Sequence, residues 1–330
     1  MKETLLCCRI TAQEKGLYRL CHDGVEQAAQ VSGKFQYEAL GPSDYPTVGD
    51  EVLADLNGGG QAVIHKVLPR KSLFLRKAAG TAREEQPVAA NVDSLFLCMA
   101  LNNDFNLRRL ERYLAAAWNS GATPVVVLTK ADLCGNPSEK VAAVEEAAPG
   151  TDVLLTSAAQ EDGIRPLLPY LTPGRTVAFV GSSGVGKSTL MNGLLGKEIL
   201  ATGGLRNDDR GRHTTTRRQM FFLPGGAALI DTPGMRELGL WDSESGLETA
   251  FADIEALARQ CRFQDCRHEK EPGCAVRAAL ASGELSEERF RSWQRLSAEN
   301  RYADDRAAHM SAKEKKFRMI AQFNKSNSKR

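Results

Sequence analysis

The sequence predicts a multidomain protein with a β-rich N-terminal part, a central α/β part and a mainly helical C-terminal part. The chain has 330 residues, about twice the usual length of one domain. Short strand-like runs fill the first 75 residues, apolar strands alternate with helical segments from 92 to 240, and apolar residues recur at helical spacing after 245. The hydrophobic fraction of 42% and charged fraction of 25% are typical of a folded chain.

The N-terminal part is predicted to form a small closed β-barrel over residues 1–76. Its candidate strands are 4–10, 18–22, 27–33, 51–56 and 61–68. Turns rich in glycine, asparagine and aspartate separate them, and these residues tolerate positive φ. Five short strands in so little chain favour a closed barrel. Residues 77–91 are small, charged and aperiodic, so we expect a linker there.

The central part, residues 92–240, is predicted to contain a parallel sheet covered on both faces. Five near-continuous apolar runs have strand length: 94–101, 124–129, 152–156, 176–180 and 227–230. Parallel strands buried between layers of helices have this uninterrupted apolar character.

A phosphate-binding loop follows the fourth of these strands. The run consists of Gly181, Ser182, Ser183, Gly184, Val185, Gly186, Lys187 and Ser188, with Thr189 directly after it. It matches G-x-x-x-x-G-K-S between a strand and a helix, where backbone N–H groups close around phosphate oxygens. Lys187 is expected to reach the β- and γ-phosphates, and the Ser188 hydroxyl to bind Mg²⁺.

Two further motifs favour a guanine nucleotide. The T-K-x-D run Thr129, Lys130, Ala131 and Asp132 follows the second buried strand. The carboxylate of Asp132 can accept hydrogen bonds from guanine N1–H and the exocyclic amine, a donor pair that adenine lacks. Ser157 and Ala158 end the third strand and can present a backbone N–H to guanine O6.

Candidate switch residues flank the last strand. Asp231 is expected to hold Mg²⁺ through water, and the Gly234 N–H to contact the γ-phosphate. One of Thr214–Thr216, with Thr215 as the central candidate, is expected to reach the metal, and the sequence does not choose among them. Met235 stands where a water-orienting glutamine is common, which predicts slow intrinsic turnover completed by a partner. His213 is a candidate to position water or relay a proton, the alternative being contact with RNA phosphate.

The order of the motifs predicts a circular permutation. In an ordinary small GTPase the phosphate loop comes first, whereas here the guanine motifs at 129–132 and 156–158 precede it. Joining the old termini and opening new ones preserves the sheet, because chain termini often lie near each other.

A metal site is predicted in the C-terminal part, residues 241–330. Cys261, Cys266, His268 and Cys274 supply three thiolates and one imidazole within fourteen residues. This donor set suits a closed tetrahedral zinc site of structural type. Residues 301–330 hold nine Lys or Arg against three Asp or Glu, so this basic tail is a candidate nucleic-acid contact.

These motifs together resemble the RsgA (YjeQ, EngC) family of ribosome-assembly GTPases. The resemblance also rests on the Gly33-Lys34-Phe35 and Val48–Val52 runs, on Ala90–Asp93 and on Gly211–Thr216. It implies an N-terminal OB-fold, a circularly permuted GTPase domain and a zinc domain. It further implies action on the small ribosomal subunit and its rRNA late in maturation, with His213 and Lys187 in subunit-stimulated hydrolysis of GTP to GDP.

Two competing functions stay open on the sequence alone. One is an RNA-binding assembly scaffold whose nucleotide only locks a conformation, and the other is a P-loop ATPase or small-molecule kinase.

No run approaches the ~20 apolar residues of a membrane helix, and the N-terminus has no sustained apolar stretch. We therefore expect a cytoplasmic protein without membrane partners, and nothing requires more than a monomer.

Overall fold

The computed structural model describes residues 5–14, 16–56, 60–77, 85–160, 162–200, 218–232 and 244–301. The chain divides into two compact units, Met1–Gly239 and Leu240–Arg330. Several predicted features lie outside the described residues: His213, Thr214–Thr216, Gly234, Met235 and the basic tail from 302 onward.

The first unit begins with a closed five-stranded barrel. Its elements are β1 (Leu6–Glu14), β2 (Leu17–His22), β3 (Val25–Val31), α1 (Gly33–Glu38), β4 (Glu51–Asp55) and β5 (Ala62–Val67). The strands pair in the order β1-β2-β3-β5-β4, and β4 returns to β1 to close the barrel. Alternate residues of each strand point inward and form an apolar core that includes Ile10, Leu20 and Ile64. This is the OB-fold topology, with strands close to those predicted.

A two-stranded hairpin follows the barrel and corrects the predicted linker. Strand β6 (Leu73–Lys77) pairs antiparallel with β7 (Glu85–Ala90). Residues 85–90 therefore form regular structure inside the segment 77–91, where a linker was expected. Val88 and Ala89 of β7 are buried. Their small side chains hid the strand from a pattern analysis, because β-propensity depends on burial against neighbours.

Polar side chains at the entrance of the central domain bind the barrel and the sheet together. The Asn91 side chain donates to the Gly49 carbonyl at 3.0 Å and accepts from the Lys71 N–H at 2.9 Å. Asp93 accepts from Lys71 Nζ at 2.7 Å and from the Thr176 N–H at 2.8 Å. The Ala90–Asp93 run is thus a structural joint between the two parts of this unit.

The central sheet places the motif-bearing strands side by side. Its strands are β8 (Ser94–Ala100), β9 (Thr123–Thr129), β10 (Asp152–Leu155), β11 (Thr176–Gly181), β12 (Arg218–Phe222) and β13 (Ala228–Asp231). They follow the order β10-β9-β8-β11-β13-β12, and all neighbouring pairs are parallel except β12 with β13. The predicted parallel sheet is therefore correct for five strands, and it gains an antiparallel edge.

Strand β12 was not predicted, although the apolar run Met220-Phe221-Phe222 carries a strand signal. Tertiary structure makes it a strand, because β12 pairs with β13 on one side and with β1 of the barrel on the other. Through β12, the central sheet and the barrel strands form one continuous hydrogen-bonded sheet.

Helices cover the central sheet and lead away from its functional edge. They are α2 (Leu107–Asn119), α3 (Pro137–Ala147) and α4 (Lys187–Leu195). Helix α4 starts in the phosphate loop at Lys187 and is capped by Gly196, whose backbone is left-handed. Phe96, Val127 and Phe179 belong to the buried core of this domain.

The second unit is helical in its described part. Helices α5 (Glu244–Ala250), α6 (Ala252–Ala258) and α7 (Ala275–Ser282) are followed by a helix over 287–301. Arg289, 8% exposed in its side chain, pairs with Asp253 at 2.7 Å and ties the last helix to α6. No described helix of the chain is both long and apolar enough to cross a lipid bilayer.

Candidate nucleotide site and metal centre

The phosphate loop lies between β11 and α4. Gly181 ends the strand at φ +155°, and a Cβ there would approach the Cys98 carbonyl oxygen to 2.5 Å, so only glycine fits between β11 and β8. The Lys187 ammonium donates to the carbonyls of Gly181 and Ser182, both at 2.8 Å. Backbone carbonyls of the loop therefore hold the Lys187 ammonium in place. The loop leads into the N-terminus of α4, and a helix N-terminus favours anions.

Charged groups of both signs lie around the loop. Asp231, buried at the end of β13, lies near Lys187. Burial raises the pKa of Asp231, and the Lys187 ammonium limits that rise. Burial likewise lowers the pKa of Lys187, an effect that the nearby Asp231 and Asp104 carboxylates oppose. Ser188, in the first turn of α4, supplies the hydroxyl that the sequence assigned to Mg²⁺.

The guanine motif is bonded directly to the phosphate loop. Thr129, at the end of β9, is buried, and its hydroxyl donates to the Val185 carbonyl at 2.5 Å. Lys130 takes a left-handed backbone conformation with φ +58°, which turns the chain sharply away from the strand. The Ala131 N–H then bonds to the Thr156 carbonyl at 3.1 Å. The structure thus brings together two motifs that are more than fifty residues apart.

The segment after β10 holds the Asp132 carboxylate, which the sequence predicts to select guanine. The Ser157 hydroxyl donates to Asp132 Oδ1 at 2.5 Å, so the exposed Asp132 is held in one orientation. The Ser157 N–H bonds to the Gly163 carbonyl at 3.0 Å. A Cβ at Gly163 would come within 1.8 Å of the Ser157 carbonyl oxygen, so this turn requires glycine. Because the Ser157 N–H is engaged, the Ala158 N–H is the better candidate for guanine O6.

We expect Thr129→Ala to weaken guanine-nucleotide binding about tenfold, because a buried hydrogen bond contributes about 1 kcal/mol and the Val185 carbonyl would lose its partner. Thr129→Ser keeps the hydroxyl and should stay within about twofold of the unmodified chain. Titration with a fluorescent GDP derivative measures both. Equal affinities for the two variants would contradict the role assigned to this bond.

One contact of the phosphate loop was missed by sequence reasoning. The Ser182 hydroxyl donates to Asp104, in the turn between β8 and α2. Asp104 in turn pairs with Arg109 at 2.9 Å. The Asp104 carboxylate, from the turn after β8, and the Arg109 guanidinium, from the first turn of α2, therefore support the loop. The only available signal was position, since Asp104 follows a buried strand and the carboxyl ends of parallel strands share one edge.

The cysteine cluster is assembled as one candidate metal site. Cys261 and Cys266 lie between α6 and α7, Cys274 caps the N-terminus of α7, and His268 is 8% exposed. Cys261 Sγ lies 3.8 Å from Cys274 Sγ and 3.6 Å from His268 Nδ1. His268 Nδ1 lies 3.4 Å from Cys274 Sγ, and all four donor atoms fall within 4.8 Å of one another.

These separations fit a tetrahedral ion. Zinc bonds to sulfur of about 2.3 Å and to nitrogen of about 2.0 Å imply sulfur–sulfur edges near 3.8 Å and sulfur–nitrogen edges near 3.5 Å. Trp293 packs edge-on against His268 with ring centroids 5.6 Å apart, which fixes the imidazole from the opposite side. The four residues that the sequence grouped thus converge as one Cys₃His set.

The comparisons with known proteins agree with this geometry. A sequence model described as RsgA GTPase matches residues 67–241, just over half of the chain. A second, described as ABC transporter, matches 167–329. That span contains the phosphate loop common to P-loop ATPases and GTPases but not the guanine motif at 129–132.

Curated relatives match most of the chain. "Small ribosomal subunit biogenesis GTPase RsgA 2" of Lactiplantibacillus plantarum is 50% identical, covering 89% of this chain and 83% of its own. "Small ribosomal subunit biogenesis GTPase RsgA" of Methanosarcina acetivorans is 45% identical, covering 93% of this chain and 82% of its own.

Solved structures share the fold. YjeQ from Thermotoga maritima matches with a TM-score of 0.66 and 28% identity, covering 89% of this chain and 97% of its own. YloQ, described as a circularly permuted GTPase, matches with a TM-score of 0.63 and 23% identity, covering 92% of this chain and 96% of its own. From the joined guanine and phosphate motifs, the matched family model and the relatives of 45–50% identity, the chain belongs to the RsgA GTPase family and is a GTP hydrolase.

Proposed function

We propose that this GTPase binds the small ribosomal subunit and its rRNA, and hydrolyses GTP in a subunit-stimulated manner during late maturation and release. The observation that carries the nucleotide part is the Thr129–Val185 hydrogen bond, which makes the guanine and phosphate motifs one site. The ribosomal part is supported by the names of the relatives, which describe small-subunit biogenesis. We further propose that the protein acts as a cytoplasmic monomer.

The proposed reaction is phosphoryl transfer to water. The water oxygen bonds to the γ-phosphorus while the bond to the β,γ-bridging oxygen breaks, and GDP leaves with that electron pair. Lys187 neutralises charge on the β- and γ-phosphates, and Ser182 and Gly184 belong to the loop that encloses them. His213 accepts or relays the proton that the water loses. Ser188, Asp231 and one of Thr214–Thr216 would hold Mg²⁺, which would supply further charge neutralisation when bound.

The metal centre is proposed to hold one structural Zn²⁺. Its four protein ligands leave no open position for a reacting molecule, so it stabilises the fold of the second unit and takes no part in hydrolysis. The second unit, with the basic tail 301–330, is proposed as an RNA contact.

For domains we propose the barrel over 1–76, the GTPase domain over 92–240 and the zinc domain over 241–330.

The proposal is tested by measuring GTP turnover with purified small subunits, with large subunits and alone. Small subunits should raise kcat on the order of a hundredfold, because partners that complete a GTPase site in trans commonly act on that scale or above it. Large subunits should not do so. Excess ATP should not compete, since adenine cannot satisfy Asp132; effective competition would favour the ATPase or kinase alternative.

The scaffold alternative is separated by His213→Ala. If hydrolysis drives release, this variant should bind the small subunit normally, hydrolyse GTP slowly and stay bound, as followed by co-sedimentation. Unchanged release by a hydrolysis-deficient variant would support a scaffold whose nucleotide only locks a conformation. Equal GTP turnover with small subunits, with large subunits and alone would contradict subunit-stimulated hydrolysis.

A further inference from the structure

A cavity of about 470 Å³ lies in the first unit, away from the phosphate loop. It is bounded by the barrel strands β1 and β2, by the loop after α1, by β7 and by the first residue of β12. The polar residues on its wall include Gln13, Tyr18, Gln86 and Arg218. This volume lies within the range of small-molecule sites.

Arg218 brings an uncompensated charge to this cavity. The residue is 9% exposed, and its Nη1 donates to the Pro87 carbonyl and, at 3.4 Å, to Gln13 Oε1. Both acceptors are neutral. Among the described residues, no carboxylate oxygen lies within 4.0 Å of its guanidinium nitrogens. A buried cation without a counter-ion is costly, so such a group usually has a charged partner.

Other well-buried arginines of the chain show the expected pairing. Arg70 makes two 2.7 Å hydrogen bonds to the buried Asp50, and Arg289 makes two of the same length to Asp253. Arg218 differs from both because the described groups around it are neutral or positive. Burial lowers the pKa of Arg218 to about 10, and the nearby Arg76 acts in the same direction.

The remaining wall offers hydrogen-bond donors. Arg76 donates through Nε to Gln86 Oε1 at 2.9 Å, which orients the Gln86 side chain at the wall. Tyr18 is 5% exposed, and burial raises its pKa to about 12, so its hydroxyl keeps its proton at neutral pH. The Arg218 guanidinium, with amide and hydroxyl groups beside it on the wall, suits an oxyanion better than a neutral ligand.

We propose that this cavity binds the phosphate group of a small phosphorylated molecule, with the Arg218 guanidinium as its charged partner. The phosphate would supply the counter-ion that the described part of the chain does not provide. The site is separate from the GTP site, so both can be occupied at once.

The test uses the full chain with its phosphate loop saturated by a non-hydrolysable GTP analogue and Mg²⁺. Phenyl phosphate is titrated calorimetrically, with phenol as the uncharged control. One equivalent of phenyl phosphate should bind and phenol should not. Arg218→Gln should weaken binding at least about tenfold, because it removes charge-assisted hydrogen bonds.

A second pair of variants avoids the risk that Arg218→Gln misfolds. Leu40 lines the cavity and is 83% exposed, so it can be changed without disturbing the core. Leu40→Glu places a carboxylate at the rim and should weaken binding several-fold, whereas Leu40→Gln should not. Absence of binding to the unmodified chain, or equal affinity for Leu40→Glu and Leu40→Gln, would overturn the proposal. Binding of a short oligoribonucleotide but not of phenyl phosphate would also overturn it, and would assign the cavity to the RNA backbone.

Discussion

Replacing Lys187 by alanine is expected to lower kcat/KM for GTP hydrolysis by about a thousandfold, since one pre-positioned charge on a transferring phosphoryl group contributes about 4 kcal/mol. The ammonium already lies in the loop, bonded to the Gly181 and Ser182 carbonyls, so it reaches an entering phosphate without moving the backbone. Steady-state kinetics with saturating small subunits measure the loss.

The fold should survive this change. Burial lowers the pKa of Lys187, so the protonated side chain destabilises the folded state relative to an exposed lysine, and alanine removes that penalty. We therefore expect an unchanged or higher Tm in a thermal melt. Lys197→Ala, which changes an exposed lysine just beyond α4, is the matched control and should keep full activity. A Lys187→Ala chain that hydrolyses GTP within tenfold of the control would contradict the assignment.

Removing the metal is expected to unfold the described part of the second unit while the first unit stays folded. Structural zinc in small domains contributes apparent binding free energies on the order of 10 kcal/mol, more than most domains have in total. Helices α6 and α7 are short and contribute only a few buried apolar side chains, among them Ile254 and Val276. Without an ion, three thiols and an imidazole would remain packed together, all within 4.8 Å of one another, with nothing to bind them.

Hydrogen exchange read by mass spectrometry checks this prediction. A chelator, or Cys274→Ser, should abolish protection across residues 252–282 and leave the barrel strands protected. Added Zn²⁺ should restore protection in the chelated chain. Cys134→Ser is the matched control, because Cys134 lies outside the cluster. Persistent protection of α6 and α7 after complete metal removal would show that apolar packing alone holds this unit.

The barrel and the central strands could be predicted because their signals are local. Alternating burial marks β1 and β2, and uninterrupted apolar runs mark β8 and β9, since each strand's own residues report how many of its faces are covered. Strands β7 and β12 gave weaker signals. Their pairing partners β6, β13 and β1 supply the burial and hydrogen bonds that make them strands.

The sequence by itself determined the chemistry of this protein, because the phosphate loop, the guanine motif and the Cys₃His set are each defined by residue types at short spacing. Only the tertiary structure decided which of these motifs meet. It joined Thr129 to Val185 across 56 positions, placed Asp104 against Ser182, and left Arg218 buried without a carboxylate among the described residues. Such contacts depend on the order of strands in the sheet, and this order follows from long-range packing that no short stretch of sequence contains.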